Sequence, residues 1–325
     1  MSARADGTGK KRRWLRRLGG ALAASTLLLA VLYRADMRGD LPLAELKARW
    51  ADGASRFLDV GGMHVHVRDE GSGPPLLLLH GTSSSLHTWE GWAAALRAHH
   101  RVVRFDLPGF GLTGPSPSND YRIEAYVELV DELARRLDLG PFVLVGSSLG
   151  GEIAWHYALA HPARVRGLVL VDSAGYPRYG RGVPIAFRLA SLPGLPWALT
   201  KLDPRRLVED GVRRVYGDPS RIRPGVLQRY YELALAPGNR PALVARMRTP
   251  RPDESARIRA IRAPTLVMWG ARDGLFPVDV ARRFADDIRG ARLVIYQDLG
   301  HVPMEEDPSR TVADVDDFLA SLPPS

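Results

Sequence analysis

Short runs of consecutive apolar residues recur from residue 76 onward, and segments with helical periodicity lie between them. Turn residues bound each apolar run, as expected for strands that are buried on both faces. The runs are Leu76–Leu79, Val102–Phe105, Phe142–Val145, Leu168–Val171, Thr265–Trp269 and Leu293–Tyr296. Helical patterns cover Thr88–Ala98, Tyr121–Leu137, Leu149–Ala160, Val278–Asp287 and Pro308–Leu319. This alternation predicts an α/β fold with a doubly wound, mostly parallel sheet.

Two regions depart from the alternation. Arg56–Val60 and His64–Glu70 are joined by Gly61-Gly62, which predicts a β-hairpin. Residues 175–263 contain no convincing strand pattern, and their short helical patterns predict a helical cap. A cap above the carboxyl ends of the strands would cover the place where open α/β sheets bind ligands. We therefore expect a core of residues 56–174 and 264–325, with the polar stretch 37–55 as a linker.

Composition excludes several classes of site. The chain has 325 residues, 45% hydrophobic and 25% charged, which is ordinary for a globular protein and excludes collagen, coiled coils and wholesale disorder. It contains no cysteine, which excludes disulfide frameworks, thiolate metal sites and thiol nucleophiles. The net charge is +9, but the basic residues concentrate in the N-terminal tail and in residues 175–263. We therefore expect no nucleic-acid partner.

The first 36 residues are typical of a targeting segment. A basic cluster from Lys10 to Arg17 precedes the uncharged run Leu18–Tyr33. As a helix the run spans about 24 Å, and interfacial Trp14 and Tyr33 with flanking arginines can extend it towards the roughly 30 Å of a hydrocarbon core. No small-residue cleavage pattern follows the run. We expect a single-pass inner-membrane anchor with an extracytoplasmic body, and keep a cleaved signal, giving a periplasmic or secreted protein, as the alternative.

The segment after Phe142–Val145 carries the strongest chemical signal. It reads Gly146-Ser147-Ser148-Leu149-Gly150-Gly151 and leads into a helix, which fits G-x-S-x-G with Ser148 as the nucleophile. Centring on Ser147 would need glycines at positions 145 and 149, where the chain has valine and leucine. A Cβ on either flank of the strained turn would clash with strand or helix. A Gly/Ser loop without chemistry is the structural alternative.

Other strand ends supply the remaining parts of a catalytic triad. Thr265–Trp269 leads to Asp273, and Leu293–Tyr296 leads to His301, so the order is Ser…Asp…His. A neutral imidazole can take the serine proton if a carboxylate orients it. Leu76–Leu79 ends in His80-Gly81-Thr82, and the amides of Thr82 and Leu149 could together form an oxyanion hole.

These motifs resemble the α/β-hydrolase superfamily over residues 56–320. The resemblance rests on His80-Gly81, Asp106-Leu107-Pro108-Gly109-Phe110-Gly111, the serine turn, Gly270–Asp273 and Gly300-His301. It implies a helical cap, Ser148 as nucleophile, His301 as base and Asp273 as its orienting acid, with Thr82 and Leu149 as oxyanion donors. Some members place the acid after the preceding strand, so Asp172 is the alternative acid.

The resemblance implies a serine hydrolase that cleaves a small-molecule ester through an acyl-enzyme, without cofactor or metal. Carbon–carbon bond hydrolysis of vinylogous diketones is the enzymatic alternative, although those relatives commonly carry Trp after the catalytic His and this chain has Val302. A non-catalytic binding protein is the other alternative.

Two other motifs are weaker. Residues 109–114 match G-x-G-x-x-G, but Pro115 follows where a dinucleotide site needs a helix to open. His64 and His66 share one face of a predicted strand, and two ligands without a third make a poor zinc site.

Overall fold

A computed structural model describes residues 34, 36–177 and 200–323 of the chain. Eight strands form one sheet in the order β1-β2-β4-β3-β5-β6-β7-β8. Strand β2 pairs antiparallel with β1 and β4, and every other pair is parallel. The strands are β1 (Ser55–Val60), β2 (Met63–Glu70), β3 (Pro75–Leu79), β4 (Arg101–Phe105), β5 (Phe142–Ser147), β6 (Val165–Val171), β7 (Thr265–Gly270) and β8 (Arg292–Tyr296). The predicted mostly parallel sheet is confirmed.

Helices cover both faces of the sheet. They are α1 (Leu43–Trp50), α2 (Glu90–Leu96), α3 (Ile123–Arg136), α4 (Leu149–Ala160), α5 (Arg205–Val215), α6 (Val226–Ala234), α7 (Asn239–Arg248), α8 (Val278–Asp287), α9 (Pro303–Glu306) and α10 (Pro308–Ser321). One apolar cluster lies between the sheet and α3, α4 and α8, and a second lies beneath α2 and α10. The two clusters explain the continuous apolar strands, since successive side chains point into opposite faces that are both buried.

The predicted hairpin and the helices of the core form where the sequence places them. Gly61 and Gly62, at φ of 55° and 76°, make the turn between β1 and β2, a conformation that side-chain-bearing residues rarely adopt. The predicted helix Thr88–Ala98 instead begins as a 3-10 turn, Leu86–Trp89, and continues as α2.

Helices α5, α6 and α7 form the described part of the cap, between β6 and β7. The predicted cap helix Ile185–Leu192 lies outside the described residues, as does the uncharged run Leu18–Tyr33. Among the residues that the structure describes, no helix has the length and apolar character needed to cross a membrane.

Residues 36–50, which we call the strap, attach to the cap. The Arg38 amide donates to the Lys201 carbonyl and the Asp203 amide to the Asp36 carbonyl, each at 2.8 Å. Further along, Asp40 forms an ion pair with Arg240 at 2.7 Å. The strap ends in α1, which lies inside the stretch predicted as a linker and buries its apolar face against the cap.

Candidate active site

The turn between β5 and α4 holds Ser148 in a strained backbone conformation. Its φ of 54° and ψ of −114° are unusual for a residue with a side chain. Its amide donates to the Val171 carbonyl at 3.1 Å, which ties the turn to the end of β6. A Cβ on Gly146 would lie 2.2 Å from the Gly150 carbonyl oxygen, and one on Gly150 would lie 2.2 Å from the Leu79 oxygen. The predicted steric need for both glycines is confirmed.

The loop after β3 runs alongside this serine. A Cβ placed on Gly81 would lie 3.0 Å from the Ser148 Cβ, so the two backbones approach closely. His80 braces the loop: its Nδ1 donates to the Gly81 carbonyl at 2.7 Å and its Nε2 accepts the Leu107 amide at 2.9 Å. Burial lowers the pKa of His80, which keeps the ring in the neutral form that this bonding needs.

The two predicted oxyanion donors lie next to Ser148 in the chain and in the loop that approaches it, respectively. Leu149 is the first residue of α4, and an amide at that position has no partner within its own helix. Thr82 follows Gly81 and its side chain is exposed. The helix N-terminus also favours negative charge that develops beside the serine.

Asp273 and His301 form a hydrogen-bonded pair at the ends of β7 and β8. The distance from His301 Nδ1 to Asp273 Oδ2 is 2.7 Å, and both side chains are buried. The other carboxylate oxygen of Asp273 accepts the amides of Leu275 and Phe276 at 2.6 and 3.1 Å. With Nδ1 protonated and donating to the carboxylate, Nε2 is left with a lone pair that can accept a proton.

The Ser148 hydroxyl makes no hydrogen bond to His301 in this conformation. Ser148 is nevertheless connected to the His301–Asp273 pair, because Val171 accepts the Ser148 amide and the next residue, Asp172, lies beside that pair. One oxygen each from Asp172 and Asp273 and one His301 ring nitrogen lie within 4.8 Å of one another. Contacts between a nucleophile and its base often close only when substrate binds.

Asp172, the alternative acid, is not the hydrogen-bond partner of His301. One of its oxygens accepts the Gly270 amide at 3.0 Å, and its carboxyl group lies buried beside that of Asp273. Burial and then the charge of Asp273 raise the pKa of Asp172 well above its usual value. The three groups could geometrically hold a cation, but His301 Nδ1 is already engaged by Asp273, so this donor set suits a proton better than a metal.

Two buried glutamates after His301 carry contacts that sequence reasoning missed. Glu306 accepts the amides of Gly300, Gly217 and Asp218 at 2.6, 3.0 and 3.1 Å, and so joins the histidine loop to the cap. Burial raises the pKa of Glu306 despite these hydrogen bonds. Glu305 binds side chains of the cap. Nothing local in the sequence marks either residue, since their partners are remote along the chain.

A second Ser–His–Asp hydrogen-bond chain lies in the first part of the core. Ser55 Oγ lies 2.8 Å from His66 Nε2, and His66 Nδ1 lies 2.8 Å from Asp106 Oδ2. His66 and Asp106 are fully buried. Ser55 is the first residue of β1, so this serine, unlike Ser148, does not sit at a helix N-terminus. We read this chain as a structural bond between β1, β2 and the loop after β4.

The remaining motifs take structural places. His64, the neighbour of His66 on β2, is exposed and pairs with Asp59 at 2.5 Å. Residues 109–114 form a loop closed by a 2.6 Å bond from the Gly109 amide to the Gly114 carbonyl, and no helix opens there.

An eight-stranded, mostly parallel sheet with a serine on a strained strand-to-helix turn and an acid–histidine pair at later strand ends defines a hydrolase of the α/β class. The chain belongs to the α/β hydrolase fold family, whose profile matches residues 74–308.

Curated relatives and solved structures extend the comparison. The chain is 29% identical to 2-hydroxymuconate semialdehyde hydrolase of Pseudomonas sp. (strain CF600), over 82% of this chain and 93% of that protein. It is 30% identical to Lipase 3 of Moraxella sp. (strain TA144), over 78% and 80%. A solved membrane phospholipase A, described as a bacterial virulence factor, is 26% identical with a TM-score of 0.70 and covers 95% of this chain and 98% of its own.

Proposed function

We propose that the protein is a serine hydrolase that cleaves carboxylic esters of small molecules or lipids. Ser148 is the nucleophile, His301 the general base and Asp273 the acid that orients it, while the Thr82 and Leu149 amides bind the oxyanion. The observation that carries the proposal is the 2.7 Å hydrogen bond from His301 to Asp273, at the sheet edge where the strained Ser148 turn lies. No bound cofactor or metal takes part in this chemistry.

The reaction proceeds in two halves. The Ser148 hydroxyl attacks the acyl carbon while His301 Nε2 takes its proton, and Asp273 stabilises the imidazolium that results. The tetrahedral oxyanion accepts hydrogen bonds from the two amides, and each such donor contributes about 3 kcal/mol to lowering the barrier. His301 then protonates the leaving alcohol. Water, deprotonated by His301, attacks the acyl-enzyme and releases the carboxylic acid and free Ser148.

An assay with a panel of substrates distinguishes ester cleavage from carbon–carbon bond cleavage. The likeness to Lipase 3 favours esters, whereas the likeness to 2-hydroxymuconate semialdehyde hydrolase keeps the second reaction as a candidate. p-Nitrophenyl esters of graded acyl length and a vinylogous diketone would be offered to the same preparation. We expect ester turnover that Ser148→Ala abolishes and the adjacent Ser147→Ala retains. Turnover of the diketone alone would assign the second reaction.

We also propose that residues 1–36 anchor the protein in the inner membrane, with the hydrolase body on the extracytoplasmic side. The basic cluster before the uncharged run Leu18–Tyr33 supports this, as does the likeness to a membrane phospholipase A across 95% of the chain. Because the strap is bonded to the cap, the anchor would hold the cap towards the bilayer.

Membrane flotation tests the anchor. Full-length protein should float with vesicles and stay bound through a high-salt wash, because apolar insertion is insensitive to salt. Deletion of residues 1–36 should release active protein. Recovery of the full-length protein in the soluble fraction after the wash would show that the anchor is absent.

A further inference from the structure

Glu305 is a buried carboxylate that hydroxyl groups from three parts of the chain approach. It lies in α9, four positions after His301, and is 2% exposed. Its Oε1 accepts the Thr88 hydroxyl at 2.5 Å and the Tyr230 hydroxyl at 2.6 Å. Its Oε2 accepts the Tyr216 hydroxyl at 2.9 Å and pairs with Arg229 at 3.3 Å. Both carboxylate oxygens are therefore fully engaged.

Most of these partners belong to the cap. Tyr216 follows the end of α5, and Arg229 and Tyr230 lie in α6. Burial, with the Glu305 charge acting in the same direction, raises the pKa of both tyrosines far above their usual value. Their hydroxyls stay protonated and donate. A buried charge is tolerated only where such donors satisfy it, so the cap helices and Glu305 depend on one another.

The same part of the cap touches the backbone of the catalytic histidine. The His301 amide donates to the Val215 carbonyl at 2.7 Å. The backbones of Gly217 and Gly300 are packed so closely that a Cβ on Gly300 would lie 2.3 Å from the Gly217 nitrogen. Glu306 binds both of these glycine amides. The position of His301 is thus set partly by cap residues and not by the sheet alone.

The hydrogen bonds around Glu305 also extend to the loop that carries Thr82. The Tyr230 hydroxyl lies 3.2 Å from the Ser84 hydroxyl, two residues beyond Thr82. Thr88, the remaining Glu305 partner, lies in the 3-10 turn that follows this loop. One carboxylate therefore joins the cap, the histidine loop and the oxyanion side of the site.

We infer that Glu305 is a positioning residue: it fixes the cap against the histidine loop and thereby sets the position of His301 relative to Ser148. The cap then takes part in catalysis in addition to covering the substrate. The inference rests on the proposed serine hydrolase function. It predicts that loosening the cap slows chemistry even on a substrate too small to reach the cap, because misplacement by about 1 Å can lower a rate about a hundredfold.

The test compares Glu305→Gln with a matched buried carboxylate. Glu232 in α6 is also 2% exposed and binds Arg49, Trp50 and Gln228, on the strap side of the cap. In either variant the amide leaves one good acceptor oxygen where there were two. A small fluorophosphonate would be reacted with each full-length protein, to give its maximal labelling rate, its half-saturating concentration and the fraction of protein that labels.

We expect Glu305→Gln to lower the maximal labelling rate at least tenfold, with a half-saturating concentration within about twofold of wild type. Glu232→Gln should lower the melting temperature by a similar amount and keep the wild-type rate. A purely structural role would lower the labelled fraction and leave the rate of the folded molecules unchanged. That outcome, or equal rates in the two variants, would overturn the inference.

If Glu305→Gln fails to fold, the double variant Tyr216→Phe with Tyr230→Phe decides the question. It removes two donors without creating a large cavity, and we expect its labelling rate to fall severalfold. A wild-type rate in this variant would overturn the inference. Failure of the proposed function has a different signature, because wild type itself would then not label at Ser148.

Discussion

Asp172 and Asp273 place two buried carboxyl groups beside one histidine. An oxygen of each lies within 4.8 Å of the other and of a His301 ring nitrogen. Asp273 is the one of the two that is hydrogen-bonded to His301, while burial and the charge of Asp273 raise the pKa of Asp172 well above its usual value. The raised pKa favours the protonated form of Asp172, because a second buried carboxylate charge beside Asp273 would repel the first strongly.

Asp172→Asn should retain activity within a few-fold, because an amide can accept the Gly270 bond and mimic the protonated acid. A folded-state pKa above the unfolded value gives stability that is complete below about pH 4 and is lost as pH rises through the folded pKa. The free energy of unfolding of wild type should therefore fall relative to Asp172→Asn as pH rises from 4. Urea unfolding between pH 4 and 8 measures this, and a pH-independent difference would contradict the assignment of the proton to Asp172.

His87 should control acid stability. Burial lowers its pKa to about 3, and its Nε2 lies 2.8 Å from the Trp50 carbonyl. A depressed histidine pKa gives stability that is present above about pH 6.5 and is lost as pH falls towards 3, which amounts to about 2 kcal/mol between pH 6.5 and 5. His87→Gln should flatten this part of the profile in chemical denaturation. An unchanged slope would show that another group causes the acid loss.

Gly81→Ala should impair catalysis more than stability. The new Cβ would lie 3.0 Å from the Ser148 Cβ, so the loop that presents Thr82 must move away. Loss of one oxyanion donor lowers kcat by about a hundredfold or more, and we expect at least a tenfold loss from displacement. Gly140→Ala is the control, because a Cβ there meets no atom within 4 Å. Equal kcat values for the two variants would argue against a role for the Thr82 amide.

The cap should face the bilayer if the anchor is present. The uncharged run ends at Tyr33, and the three residues from there to the strap can span at most about 11 Å. Leu207 is 65% exposed in α5, a helix that carries four arginines against two acidic residues, and this composition suits anionic lipid headgroups. Because the chain has no cysteine, a single fluorophore can be attached through Leu207→Cys in the cap. In a second protein it can be attached through Gly140→Cys, just before the amino end of β5.

In vesicles of phosphatidylglycerol and phosphatidylcholine with a headgroup spin label, we expect strong quenching at position 207 and little at position 140. Equal quenching in protein that floats with the vesicles would contradict the orientation and leave the anchor intact.

The placement of the candidate site residues in the fold was predictable because its signals are local. The glycines around Ser148 are required by close contacts within a few residues of the chain. Asp273 and His301 each follow an apolar strand, and the carboxyl ends of parallel strands lie at the same edge of the sheet. The choice of Asp273 over Asp172 came from family resemblance, and the hydrogen bond to His301 agrees with it.

The cap contacts were not predictable, because they join residues that are remote along the chain. The bonds of Glu305 to Tyr216 and Tyr230 depend on how the cap packs, which no periodicity encodes. For the same reason, the sequence predicts only a linker for the polar stretch before β1, where the structure has α1. Leu46 becomes buried, and the Trp50 side chain bonds to Glu232, only when the cap has folded against this stretch.

Labelling with a fluorophosphonate, followed by peptide mapping, tests the central assignment most directly. Among the residues that the structure describes, Ser148 and Ser55 each lie near a histidine–aspartate pair, and they differ in their surroundings. Ser148 lies on a strained turn at the N-terminus of α4, whereas Ser55 is the first residue of strand β1. We predict labelling of Ser148 alone, its complete loss in Ser148→Ala and wild-type labelling in Ser55→Ala. Labelling that persists in folded Ser148→Ala would contradict the account.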